Sequence, residues 1–276
     1  MIAKPLSRPS AWFIPGMLIL LSLVPVAAGI ARLAELAGGG DVTAANVRFL
    51  AMPLPVALHI LAVIPYSILG AFQFAPVFRR RRPGWHRAAG KVLVVSGLVT
   101  ALTGLWMAQF YPWPEGDGEI LYLLRIVFGS AMAVAITLAV DAIRRRDFAA
   151  HGAWMIRSYA IGMGAGTQVL THIPYFALVG KPDELSRAVL MGVGWVINVV
   201  VAEWIIRRQT LGLRTNQGVA EPDSRRTGPP PPGWSSIEIT LYQSMTCRYR
   251  HVDISPTARI LGERFPSETH RIASPK

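Results

Sequence analysis

Cysteine is almost missing from these 276 residues: Cys247 is the only one. No intramolecular disulfide and no cysteine-ligated metal site can form, and thiols give no reading of redox compartment. Charge is scarce as well, at 16% of residues against 52% hydrophobic, with a mean hydropathy of +0.38. That balance excludes an ordinary water-soluble domain and points to a membrane protein. A glycine-rich nucleotide loop, an HExxH helix and a nucleophile elbow are all absent from the sequence, which weighs against an ATP-driven pump and a membrane hydrolase.

What the chain has is long apolar runs. About 20 residues of helix cross about 30 Å of hydrocarbon, and candidate spans of that kind lie at 12–33, 52–74, 88–110, 119–143, 152–179 and 185–206. They predict an all-α polytopic bundle of about six transmembrane helices. Residues 1–50 make the first helix and an external loop, 51–214 a five-helix core domain, and 215–276 a tail. Lys4 and Arg8 ahead of "VPVAAGIA" resemble a signal peptide, but the apolar run is long for an h-region, so the first helix is expected to be retained.

A formal charge of +12 invites a nucleic-acid reading that the placement of the charges argues against. Basic residues gather at Lys4 and Arg8, at Arg79 to Arg82 with Arg87 and Lys91, at Arg144 to Arg146, and at Arg207, Arg208 and Arg214. Most acids sit in the alternate connections: Glu35 and Asp41, then Glu115, Asp117 and Glu119, then Asp183 and Glu184. This is the positive-inside pattern, which puts both termini and the arginine loops in the cytoplasm, against anionic inner-leaflet lipids. After Arg214 the sequence "NQGVAEPDSRRTGPPPPGWSS" has no apolar period, so a disordered cytoplasmic tail is expected. Two segments, "RRRPGWH" and "RRRDFAAH", place a histidine after an arginine triplet at the cytoplasmic start of a span. They read equally well as a weak parallel repeat and as two loops that each need arginines.

Three stretches carry a resemblance: "ILGAFQFAPVFRRRRPGWHRAAGKVLVVSGLVTALTGLWMA", "RRRDFAAHGAWMIRSYAIGMGAGTQVLT" and "MGVGWVINVVVAEWIIRR". With GxxQF, HRxxG, HxxWMIRSYA and NxxVAEW in that order over residues 52–208, the chain resembles the bacterial membrane proteins grouped as domain of unknown function 2306. The resemblance implies a multi-pass bundle in the bacterial inner membrane, with the histidines, arginine and glutamate as family features, and it implies no activity. Many relatives carry an arginine in the second half of the fifth helix, where this chain has "GTQVLTH".

Ionisable groups inside a bundle should face its interior and have partners. At about 1.5 Å per residue they sort into two layers. The inner layer holds Gln73, His86, Arg87, Asp141, His151, Arg157, Asn198 and Glu203; the outer layer holds His59, Arg125, Gln168 and His172. Arg157 and Glu203 lie at matched depth and predict an interhelical ion pair, with Arg207 as the plainer local partner for Glu203.

His86 and His151 begin their helices, where the dipole favours a neutral imidazole able to ligate haem iron. A bis-histidine haem b, placed as in b561-type cytochromes, is one reading of them. Interfacial anchoring beside Trp85 and Trp154 is the other. A second haem on His59 and His172 meets a spacing problem, because His151 and His172 are 21 residues apart, about 31 Å along a helix against roughly 20 Å for stacked haems. His59, Arg125 and His172 are alternatively donors for a quinone head group or a small anion. "GMGAG" (162–166) supplies small residues for close helix crossing. Three function classes follow: an electron-transfer protein holding haem b or quinone, a small-solute or ion transporter, and a structural membrane protein.

Overall fold

The computed structural model describes residues 12–39, 41–75 and 80–218, with side chains through Leu211. The chain divides into two units, Met1–Thr215 and Asn216–Lys276, and the helices below belong to the first, the last of them running on to Gly218. The tail, Cys247, Lys4, Arg8, Arg79 and the Arg214 side chain lie outside the described residues.

Eight helices have both bounds among the described residues, in order α1 (Phe13–Gly38), α2 (Val47–Ala51), α3 (Pro53–Gln73), α4 (Pro83–Phe110), α5 (Glu119–Arg144), α6 (Phe148–Gly162), α7 (Gly164–Leu178) and α8 (Glu184–Gly218). No strand occurs among the described residues. Five of these helices, α1, α3, α4, α5 and α8, are long and apolar enough to cross a membrane. Their surface supports the same environment. Leu20, Leu61, Val95, Val127, Leu170 and Val200 are all more than half exposed, a quantity of bare apolar surface that lipid, not water, accommodates.

The expected fifth span, 152–179, is two 15-residue helices, α6 and α7, meeting at Met163. Met163 N–H still donates to Tyr159 O at 2.9 Å. The Ala160 carbonyl, which takes Gly164 N–H in an unbroken helix, instead receives Asn198 Nδ2 from α8 at 3.1 Å. Asn198 Oδ1 in turn accepts from Thr167 Oγ1 at 2.8 Å. A break at membrane depth is tolerated where side chains re-satisfy the freed backbone, and Asn198 does that here.

The glycines around the break serve close packing. A Cβ on Gly162 would stand 2.6 Å from the Tyr66 ring, one on Gly164 2.4 Å from Trp195, and one on Gly166 2.2 Å from the Leu21 carbonyl. The small residues therefore let α3, α8 and α1 approach the broken helix from three sides.

The core joins α3, α4, α5 and α6 through Tyr66, Leu93, Ala101, Met132, Ile136, Tyr159 and Ile161. Two tyrosines lock it reciprocally: Tyr66 Oη donates to Ser158 Oγ at 3.2 Å, and Tyr159 Oη to the Ser67 carbonyl at 2.7 Å. α1 packs on α3 and α7, and α5 packs on both α4 and α6. The α5–α6 connection is tight. Arg146 takes a left-handed φ of 61° there, Asp147 N–H returns to Ala142 O at 2.9 Å, and the Asp147 carboxylate caps α6 by accepting from Ala150 N–H.

Candidate functional site

At the end of the bundle that carries residues 41–46, 111–118 and 179–183, a cavity of about 320 Å³ opens between α3, α4, α5, α7 and α8. Its walls are mainly apolar, with Trp113 and Pro114 at the mouth and Met132, Ile161 and Gly162 at the depth of the helix break. Four kinds of polar group interrupt them: His59, Thr100, Gln168 and the arginines Arg48 and Arg125. A few convergent polar groups in an apolar concavity are the ordinary composition of a small-molecule site.

His59 reaches this wall from α3. Thr103 Oγ1 donates to the Val99 carbonyl at 2.5 Å, so it accepts from His59 Nδ1 at 3.1 Å. That hydrogen bond leaves Nε2 as the lone-pair nitrogen of a neutral ring. Gly104 is small enough to bring α4 to the ring, with its Cβ position 3.4 Å from His59 Cε1. Thr100 is 6% exposed, lines the cavity, and its hydroxyl has no hydrogen-bond partner among the described residues. An unsatisfied buried hydroxyl costs about 1–3 kcal/mol, and a ligand or water acceptor in the cavity would relieve it.

The mouth is organised around one buried carboxylate. The Asp117 side chain is 1% exposed, 2.6 Å from Arg125 Nη1 and 2.8 Å from Arg187 Nε. The first contact is a hydrogen bond, and the second is ionic without hydrogen-bond alignment. The turn that delivers Asp117 closes through its own N–H to Pro114 O at 3.0 Å and uses Gly116 at φ 82°.

Arg48, on α2, faces the same cluster. Burial pushes its guanidinium below the usual arginine value, and Arg125, Arg187 and Arg32 push the same way against the pull of Asp117. Its Nη1 reaches the Pro112 carbonyl only at 3.5 Å, its plane lies 4.5 Å over the Phe49 ring, and its buried Nε has no partner among the described residues. Two guanidiniums thus share Asp117 while a third, Arg48, stands beside them; with the Glu184 carboxylate against Gly118 at the same turn, the mouth carries a surplus of one positive charge.

Of the outer-layer residues, His59, Arg125 and Gln168 meet in the cavity. His172 does not line it. That ring lines an adjoining groove with Phe176 and Val169, which shares Ala165, Gln168 and Met191 with the cavity, and its Nδ1 is held by the Gln168 carbonyl at 2.7 Å.

The inner layer splits differently. Arg157 and Glu203 form a bidentate pair, Nε to Oε1 at 2.5 Å and Nη2 to Oε2 at 3.0 Å, with Arg157 stacked 4.6 Å over Trp154. Asp141 pairs locally with Arg145 at 2.7 Å, and Arg87 is exposed. Gln73 Nε2 is buried without a hydrogen-bond partner among the described residues. His151 Nδ1 is 2.9 Å from the Ala139 carbonyl, and His86 is half-buried beside Trp85, which meets Phe72 edge-on.

Neither His86 nor His151 lines the cavity or the groove. The core between their helices, α4 and α6, is filled by Tyr66, Leu93, Ile136 and Tyr159. The cavity and the groove therefore give no support to haem binding by these two histidines. No group of three or more His, Cys, Asp or Glu able to hold a metal occurs among the described residues.

The arrangement is one of a lipid-embedded helical bundle, and a family comparison agrees. Residues 56–206 match the model of the DUF2306 family, described as predicted membrane proteins. The chain belongs to the DUF2306 family. Comparison of this DUF2306 chain with curated proteins gives no match, and comparison with solved structures gives none either. The matched region takes in the cavity with Trp113, Asp117, Arg125 and Arg187 at its mouth, the helix break and the Arg157–Glu203 pair, and it leaves out α1, α2 and Arg48.

Sequence reasoning did not reach Arg48, Thr100, Trp113 or the burial of Asp117. One signal was available: Arg32, Arg48, Lys181 and Arg187 are basic residues near the acidic connections, against the charge alternation of the rest of the chain.

Proposed function

We propose that this DUF2306 protein holds a small, mostly apolar molecule with a polar head in the cavity between α3, α4, α5, α7 and α8. The observation that carries the reading is the cavity itself, about 320 Å³ with His59, Thr100 and Gln168 on otherwise apolar walls. In this reading α6 and α7 together make a sixth crossing. Both termini and the arginine loops face the cytoplasm of a bacterial cell, and the cavity opens on the opposite face of the inner membrane. The arginine loops then meet anionic lipid headgroups.

Among the redox partners considered from the sequence, a quinone head group is the one for which the cavity has chemistry: the Thr100 hydroxyl can donate to a quinone carbonyl, and His59 Nε2 can accept from the hydroxyl of the reduced quinol. A role in moving solutes is supported by the broken α6–α7 helix at the cavity floor, since discontinuous helices line many transport sites.

The test is thermal unfolding in lipid nanodiscs with decanol and a short-chain ubiquinone as probes. A ligand at ten times its Kd adds about 1.4 kcal/mol, a shift of about 2–6 °C for a membrane unit of this size. The wild-type protein should gain that shift with at least one probe, and Gly104→Leu and Ala165→Phe, which fill the cavity, should not. No shift with any probe, or equal shifts in the filled variants, would remove the cavity from the function.

A further inference from the structure

The mouth of the cavity specifies more than its walls do, and the inference here rests on the ligand-site reading above. Arg125 and Arg187 already share Asp117 at 2.6 and 2.8 Å. Arg48 has no carboxylate within ion-pair distance among the described residues, and its Nε is buried without a hydrogen-bond partner there. Glu184, against Gly118, offsets one of the arginines, and the other nearby charges leave Arg48 without a carboxylate partner among the described residues. Arg32 pairs with Glu35, which also accepts from Asn46, and Lys181 pairs with Glu115 at 3.0 Å.

One uncompensated positive charge thus stands beside a low-dielectric space, where a charge without a partner is costly. Arginine is suited to this task, because its planar fork meets a carboxylate with two parallel hydrogen bonds. Below the arginines the cavity turns apolar. From Arg125 to Met132 it descends seven residues of α5, about 10 Å, past Phe128 and Trp195 to Gly162. A volume of about 320 Å³ equals roughly ten water molecules at about 30 Å³ each, room for a chain of about ten carbons.

We infer that the ligand is a single-chain amphiphile of about ten carbons with a carboxylate head, the head held by Arg48 and Arg125 and the chain lying between α4, α5 and α7. The mouth then reads as a charge selector. Asp117 offsets part of the arginine field, so one monoanionic head is accommodated, and its removal would leave the cluster over-charged. Trp113 and Pro114, beside the arginines, flank the first carbons of the chain.

The experiment compares decanoate with decanol, of equal chain length and opposite head chemistry, on the full chain in zwitterionic nanodiscs. Empty discs correct for partitioning, and binding is read by thermal shift and by isothermal titration. Decanoate should bind at least about tenfold tighter than decanol, the increment of a charge-assisted bidentate contact, and acetate at the same concentration should not compete. Arg48→Gln should abolish the preference for decanoate while decanol still binds, and Arg48→Lys should restore part of it, since charge returns without the fork.

Equal affinities for decanoate and decanol on the wild-type protein would overturn the carboxylate assignment and leave the cavity as a site for neutral molecules of the quinone kind. Competition by acetate as strong as by decanoate would overturn the chain assignment. Binding of neither probe would remove the cavity reading together with this one. Because the decisive comparison uses wild-type protein, misfolding of a variant cannot obscure it.

Discussion

Replacing Asn198 by leucine removes the side chain that closes the break between α6 and α7, and the structure fixes what is lost. Asn198 Nδ2 donates to the Ala160 carbonyl at 3.1 Å, and its Oδ1 accepts from Thr167 Oγ1 at 2.8 Å. Leucine keeps the branching and number of side-chain heavy atoms, so the polar loss dominates. An uncompensated buried polar group costs about 1–3 kcal/mol, while hydrogen bonds between membrane helices average about 0.6 kcal/mol because partners can be exchanged.

Thr167 can turn to a carbonyl of its own helix, whereas the Ala160 carbonyl has lost its helical donor to the break. A loss of about 1.5–3 kcal/mol is therefore expected for Asn198→Leu, with most of it from Ala160. Thr167→Ala, which removes only the second bond, should cost about 0.5–1 kcal/mol. Reversible unfolding in mixed bicelles with increasing dodecyl sulfate measures both. If Asn198→Leu cost no more than Thr167→Ala, Asn198 would not be closing the break, and the discontinuity would have to be stabilised by glycine packing alone.

Glu203→Gln and Arg157→Gln should each destabilise by about 1–2 kcal/mol in the same assay, below the 3–5 kcal/mol of a fully buried pair because these side chains are 28% and 34% exposed. A double-mutant cycle that shows no coupling would place the pair's importance elsewhere. Gly166→Ala should cost about 1–3 kcal/mol, since its Cβ would lie 2.2 Å from the Leu21 carbonyl on α1. Gly152→Ala, with nothing within 4 Å of its Cβ, should be neutral or stabilising by up to about 1 kcal/mol, and equal effects would discount the packing role of the 162–166 glycines. The single cysteine, Cys247, tests orientation: a membrane-impermeant maleimide should label it only after permeabilisation, and labelling on intact cells would reverse the proposed topology.

The parts legible in the sequence are those set by local composition and by depth. Apolar runs located α1, α3, α4, α5 and α8, and a rise of about 1.5 Å per residue brought Arg157 and Glu203 to one level, where they form a bidentate pair. The break at Met163 was not legible. Glycines in "GMGAG" are common in unbroken membrane helices, and what holds this break open is Asn198, a residue 35 positions downstream of Met163. Asp117 read as one more loop acid because its burial depends on Arg125 and Arg187, which arrive from two other segments.

The histidines show the same division. Their helical positions were readable, but partners decide their roles. His59 turns out to be oriented by Thr103 on α4, His151 is engaged by a carbonyl of α5, and His172 bonds back to its own helix. Matched depth put His86 and His151 forward as a pair. What each of them meets could not be foreseen without knowing which helices are neighbours.

Covalent mapping of the bound molecule tests the cavity most directly. The full chain in nanodiscs would be photolysed with a decanoate analogue bearing a diazirine near its chain terminus, then digested and sequenced by mass spectrometry. Adducts concentrated on Phe128, Met132, Gly162 and Ala165, and suppressed by excess decanoate or by Gly104→Leu, are the predicted result. Adducts confined to lipid-facing residues such as Leu123, Val127 and Val200, unaffected by either, would show that the molecule sits in the bilayer and would contradict a ligand site inside the bundle.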